Sequence, residues 1–339
     1  MRSTGIGSWP GTELVEALKI SFDEAPELPY LPELPDRGVG SQLVGRGVAV
    51  LSGIGADLQP AGWRLTDAPG RDQLRARATL RDDRDQLEEV GQDYQGPFKI
   101  SIVGPWTMAA LVERPRGDRL LADFGARRDL VQSLAEGIAE LITDLRRRLP
   151  GLDLILQLDE PALPAVLAGD IPTASGFSTH RSIDVPEVSD GLSTVAEAAS
   201  AALPEPPSGL PRLWLHSCAR GVPVELIRKA GFGGVGIDLD QLSTADWDRL
   251  GQAMSDGLWL GAGALSTGTG PATDRRWSAD AIGQRVLRAM RTLGLEPDIA
   301  GRMIITPACG LARFDHGSAV RALRAVRKAA DIVTDQLAD

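Results

Sequence analysis

The stretch LDLILQLDE, residues 152–160, sets the pattern for the whole chain. It is a short apolar, strand-forming run that ends on two acidic residues and a proline, and a long helical pattern from about 118 to 149 precedes it. Seven further runs follow the same plan: STGIGSW near residue 3, LPYLPEL near 28, KISIVG at 99, RLWLHSC at 212, GGVGIDLD at 233, GLWLGAGAL at 257 and MIITPACG at 303. Each gives way to Gly, Pro, Ser or Asp and then to helical patterning, as in TELVEALKISFDE, PVELIRKAG, STADWDRLGQAMS and SAVRALRAVRKAADIVTDQL.

Strand then helix, repeated about eight times within 339 residues, is the signature of an α/β protein of the (β/α)8 or TIM-barrel type, here a single domain over 1–339. Prolines interrupt the run at 28–34, which weakens it as a strand and leaves a doubly wound open sheet as the alternative. Residues 60–96 and 168–211, rich in Pro, Gly, Asp and Arg, read as inserted loops or lids.

Composition narrows the function. Hydrophobic residues are 43% and charged residues 24%, with no apolar run of the roughly 18 residues that a membrane span needs, so a soluble protein with no membrane partner is expected. The opening MRSTGIGSWPGT has no apolar segment or cleavage site of a secretory leader, which points to a reducing cytoplasm. The net charge is −10, and the arginines are dispersed among acids rather than gathered in a stripe, which argues against a nucleic-acid partner.

Barrel enzymes build their sites at the C-terminal ends of the strands. Ser8 stands at one such end, Asp159 and Glu160 at another, and both cysteines of the chain, Cys218 and Cys309, at two more. Asp159 and Glu160 are the candidate catalytic carboxylates. His216 and Cys218 share a strand face by the alternation rule, as do Asp238 and Asp240. An imidazole, two thiolates and a carboxylate converging on one rim suit tetrahedral Zn2+, which would hold a substrate thiol as thiolate. Glu33, Asp36 and Arg37 of PELPDRGVG lie near the same rim as candidate ligand contacts.

GIGSWPGT at 5–12, IVGPWT at 102–107, QLDEPAL at 157–163, LHSC at 215–218 and PACGL at 307–311 resemble, in order, motifs of the C-terminal catalytic barrel of cobalamin-independent methionine synthase. That family belongs to a superfamily with uroporphyrinogen decarboxylase and the zinc-dependent coenzyme M methyltransferases. The resemblance implies zinc held by His216, Cys218 and Cys309, with Asp240 (or Asp238) in place of the family's glutamate. It also implies that Ser8 and Asp159 hold the amino-acid part of homocysteine; Glu33 and Arg37, by their place near the rim, are further candidate substrate contacts.

The implied reaction is transfer of a methyl group to homocysteine, giving methionine, a step of amino-acid biosynthesis. The donor is methyltetrahydrofolate or a methylated corrinoid protein. Three other functions compete: methylation of another small thiol such as coenzyme M, a decarboxylase-like lyase, and a non-catalytic ligand-binding barrel.

Several features depart from the family. No counterpart of its N-terminal duplicate barrel is expected. Leu111 stands where its pterin-stacking tryptophan belongs, with Trp106 as a substitute or as core. GAGALSTGTG lacks its proton-relaying histidine, for which His180 and His316 are the remaining candidates.

Overall fold

Seven parallel strands lie side by side in the order β1 (Arg2–Ser3), β9 (Met303–Pro307), β8 (Trp259–Leu265), β7 (Gly234–Asp238), β6 (Leu213–Ser217), β5 (Leu152–Asp159) and β4 (Gly96–Val103). This computed structural model describes residues 1–339 apart from 206, 269–276, 295–298, 300 and 339.

The eighth place, between β1 and β4, is filled by residues 28–34 without forming a regular strand. Pro29 and Pro32 have no N–H to give, so a continuous ladder is impossible there. The N–H groups that remain divide between the two neighbours: Leu31 donates to the Lys99 carbonyl on β4 (2.9 Å), and Glu33 to the Gly7 carbonyl beyond β1 (3.1 Å). The Lys99 and Trp9 N–H groups return the bonds to the Pro29 and Glu33 carbonyls. The sheet therefore closes into the expected barrel, with the proline-rich run as its eighth stave.

The barrel interior changes character along its axis. Toward one end Leu28, Ile155, Trp214 and Ile304 form a small apolar cluster separate from the large core between sheet and helices. Farther along the same alternating faces come Lys99, Ser101 and Gln157, and then Asp159 and His216 at the strand ends. The glycines of GGVGIDLD make room for this column: a Cβ at Gly234 would lie 2.4 Å from the Trp214 ring, and one at Gly236 3.0 Å from His216 Nδ1.

Helices cover the outside, among them α1 (Leu14–Glu24), α2 (Leu43–Val50), α3 (Arg71–Gly91), α4 (Pro105–Leu111), α5 (Phe124–Arg148), α6 (Leu163–Ala168) and α7 (Val185–Ala202). The loop reading of 60–96 is corrected. A hairpin of β2 (Gly55–Gln59) and β3 (Gly62–Thr66) is followed by the 21-residue α3, whose Ala76, Leu80 and Leu87 are buried. Within 168–211, α7 occupies the centre and only its flanks are irregular. No helix among the described residues is long and apolar enough to cross a membrane.

Candidate metal centre and substrate pocket

β6 delivers His216 one residue before its end and Cys218 just after it, while Cys309 follows the end of β9. The two Sγ atoms are 3.2 Å apart, and each of the three residues offers a ligand atom within 4.8 Å of the others. Both ring nitrogens of His216 are buried and neither meets hydrogen-bond geometry with any partner, although the imidazole lies close enough to Cys218 to act on its thiol. A neutral imidazole carries one donor and one acceptor, and leaving both buried and unpaired is costly. A metal ion on one nitrogen answers that deficit, and the donor set of one imidazole and two sulfurs is one that zinc favours.

The sulfurs are already differentiated. The Cys218 thiol is held well below its usual range, first by the hydrogen bond from Cys309 and then by His216. Cys309 is pushed up, because it shares that bond with Cys218 and is buried.

These three residues line one side of a pocket of about 240 Å³, with Ser8, Glu33 and Asp159 also in its wall. Asp159 accepts from Gln157 Nε2 at 2.8 Å. Burial raises its carboxyl well above the usual range; His216 opposes that shift and the nearby Glu33 carboxylate adds to it. Glu33 is buried and receives Arg46 Nε at 3.0 Å, and burial raises its carboxyl against the pull of Arg46. Ser8 sits against Gly310, where a Cβ would lie 1.9 Å from its Oγ.

Four expected site residues stand elsewhere. β7 stops at Asp238, so the alternation rule does not extend to Asp240, which lies in a tight 3-10 turn (Leu239–Gln241) and binds Arg285 Nη2 at 2.5 Å. Asp238 accepts from the Asp240 N–H (2.9 Å) and the Gln241 amide (3.3 Å). Neither aspartate joins the His216, Cys218 and Cys309 group.

Glu160 points away from the pocket. Its oxygens accept the Trp106 N–H (2.8 Å), the Thr107 N–H (2.7 Å) and the Thr107 hydroxyl (2.6 Å), which caps the start of α4 and leaves it fully buried. In this position it holds the start of α4 and takes no part in the pocket wall. Arg37 grips Asp83 of α3 through Nη2 at 2.8 and 3.0 Å and is absent from the pocket wall. Asp83 also receives Arg46 Nη1 at 3.2 Å, so Arg37, Asp83, Arg46 and Glu33 form one chain of charges.

Of the remaining expectations, Trp106 is core, with its Nε1 donating to the Val188 carbonyl at 3.1 Å. His180 ties two loops by facing Asp118 Oδ1 at 3.2 Å, and His316 packs edge-on against Trp9 and toward Glu16. Neither histidine lines the pocket. The end of GAGALSTGTG, at 269 and 270, lies outside the described residues.

Arg46, Asp83, Lys99 and Gln157 were missed in the sequence. Lys99 alone left a signal, a cation inside the apolar run KISIVG.

No protein family and no curated protein matches the chain by sequence. Among solved structures, a putative fructose-1,6-biphosphate aldolase from Coccidioides immitis matches over 75% of this chain and 83% of its own, at 10% identity and a TM-score of 0.31. Far nearer is a B12-independent methionine synthase from Shewanella sp. W3-18-1 in complex with selenomethionine, at 15% identity and a TM-score of 0.65, covering 99% of this chain and 98% of that one. From end to end, the chain shares the fold of that B12-independent methionine synthase.

Proposed function

We propose that this chain is a zinc-dependent S-methyltransferase that methylates the thiol of homocysteine, with methyltetrahydrofolate or a methylated corrinoid protein as donor. One observation carries the reading: a buried, unpaired imidazole stands beside two sulfurs 3.2 Å apart, in a pocket that also presents two carboxylates. The fold shared with a methionine synthase supports it.

His216, Cys218 and Cys309 would hold zinc, which supplies Lewis acidity that keeps a substrate thiol ionised at neutral pH. Glu33 and Asp159 place carboxyl oxygens in the pocket wall that can accept from the α-ammonium, and the Ser8 hydroxyl can donate to the α-carboxylate. Anchored at that end, the substrate sulfur is directed toward the two cysteines, and the bound geometry supplies part of the rate by orientation. The thiolate then displaces the donor in line: an S–CH3 bond forms as the methyl-donor bond breaks, and the leaving group keeps the electron pair.

The test is zinc content and homocysteine methylation, with each donor, for protein purified without added metal. About one zinc per chain and turnover with one donor are expected, with both lost in Cys218→Ser. Zinc absent from the native protein, together with no homocysteine binding, would sink the reading.

A further inference from the structure

Lys99 is the only charged side chain of β4 and is 3% exposed. Its ammonium donates to the Gly5 carbonyl (2.5 Å), the Ile6 carbonyl (3.1 Å) and Gln157 Oε1 (2.6 Å). An ammonium has three N–H donors, so each has its own acceptor and every acceptor is neutral. Burial drives the Lys99 amine toward its neutral form, and the Asp159 and Glu33 carboxylates pull it back toward the cation. A buried cation is costly without such partners.

What the network joins gives it a purpose. The Gly5 and Ile6 carbonyls belong to the segment that carries Ser8 into the pocket. Gln157, the third acceptor, uses its own amide to bind the Ile6 carbonyl (3.0 Å) and Asp159 Oδ1 (2.8 Å). Ser8 and Asp159 sit on separate elements, and Lys99 fastens one to the other from below.

We propose that Lys99 is a positioning residue for the amino-acid end of the pocket, holding Ser8 and Asp159 at the separation that a substrate's α-carboxylate and α-ammonium require. This rests on the methyltransferase reading above and adds the device that makes the site select an amino-acid thiol. Lys99 touches neither the metal-ligand group nor the pocket itself, so a thiol without an amino-acid head should be indifferent to it.

The experiment measures, by calorimetry on zinc-loaded protein, the Kd of homocysteine and of propane-1-thiol for the native chain and for Lys99→Met. The expected result is a rise of about tenfold or more in the homocysteine Kd, the size that follows from losing hydrogen bonds to a charged group. The propane-1-thiol Kd and the zinc stoichiometry should stay unchanged. An unchanged homocysteine Kd, or parallel losses for both thiols and zinc, overturns the inference alone. If native protein binds propane-1-thiol but not homocysteine, the function reading fails and this inference falls with it. Should Lys99→Met not fold, Gln157→Leu decides by the same pair of thiols, because it cuts the link to Asp159 while keeping the cation.

Discussion

The sulfur atoms of Cys218 and Cys309 lie 3.2 Å apart although the residues are 91 positions apart in the chain. Their strands, β6 and β9, are not neighbours; β7 and β8 separate them in the sheet. Curvature alone brings the two ends together, so the sulfur pair is a product of barrel closure and not of local sequence.

Because Asp240 is committed to Arg285, the ligand set should contain two protein thiolates and no Asp240 carboxylate. Cobalt(II)-substituted protein should show thiolate-to-metal absorption that falls by about half in Cys309→Ser and is intact in Asp240→Asn. Metal loss in Asp240→Asn would restore the aspartate to the ligand set.

Gly236 faces His216 across the β6–β7 pair, and a Cβ there would lie 3.0 Å from Nδ1. Gly236→Ala should turn the imidazole and lower zinc affinity by roughly tenfold or more, the usual effect of disturbing a ligand's orientation, with the fold retained. Competition with a chromophoric chelator measures it, and unchanged affinity would mean that the imidazole is not held where a ligand must be.

The polar cluster at the strand ends was legible as a candidate site because a strand that ends on polar residues announces itself in LDLILQLDE and RLWLHSC. The eighth stave was obscured by its prolines, which remove the ladder donors yet leave isolated bridges at Tyr30 and Glu33. Asp240 misled because alternation was carried past the end of a strand that stops at Asp238. Asp159 is the last residue of β5 and Glu160 the first beyond it, so the strand directs only Asp159 to the pocket while Glu160 turns to the N–H groups at the start of α4. The chain from Arg37 through Asp83 and Arg46 to Glu33 joins helices and loops far apart in sequence, and no local pattern encodes it.

Glu160→Ala separates framework from chemistry. It would leave the Trp106 and Thr107 N–H groups buried and unpaired at the start of α4, at a cost of roughly 3 kcal/mol from about 1–3 per group. Urea unfolding should show that loss while the folded variant takes up zinc as the native chain does. Lost turnover at unchanged stability would return Glu160 to a catalytic role.

Arg46 is the junction between framework and pocket. Its guanidinium pairs with Glu33 at 3.0 Å and Asp83 at 3.2 Å, with all three side chains almost wholly buried. In Arg46→Met, Asp83 keeps Arg37, but no other ion pair with Glu33 is present among the described residues. Removing one partner of a buried pair typically costs about 3–5 kcal/mol, mainly because the other charge is stranded. Neutralising that charge should therefore recover part of the loss, and Arg46→Met with Glu33→Gln should unfold at a higher urea concentration than Arg46→Met alone. Strictly additive losses would mean that the two residues do not act as a pair, and that Glu33 is held in the pocket wall by its backbone bonds to Gly7 and Trp9 instead.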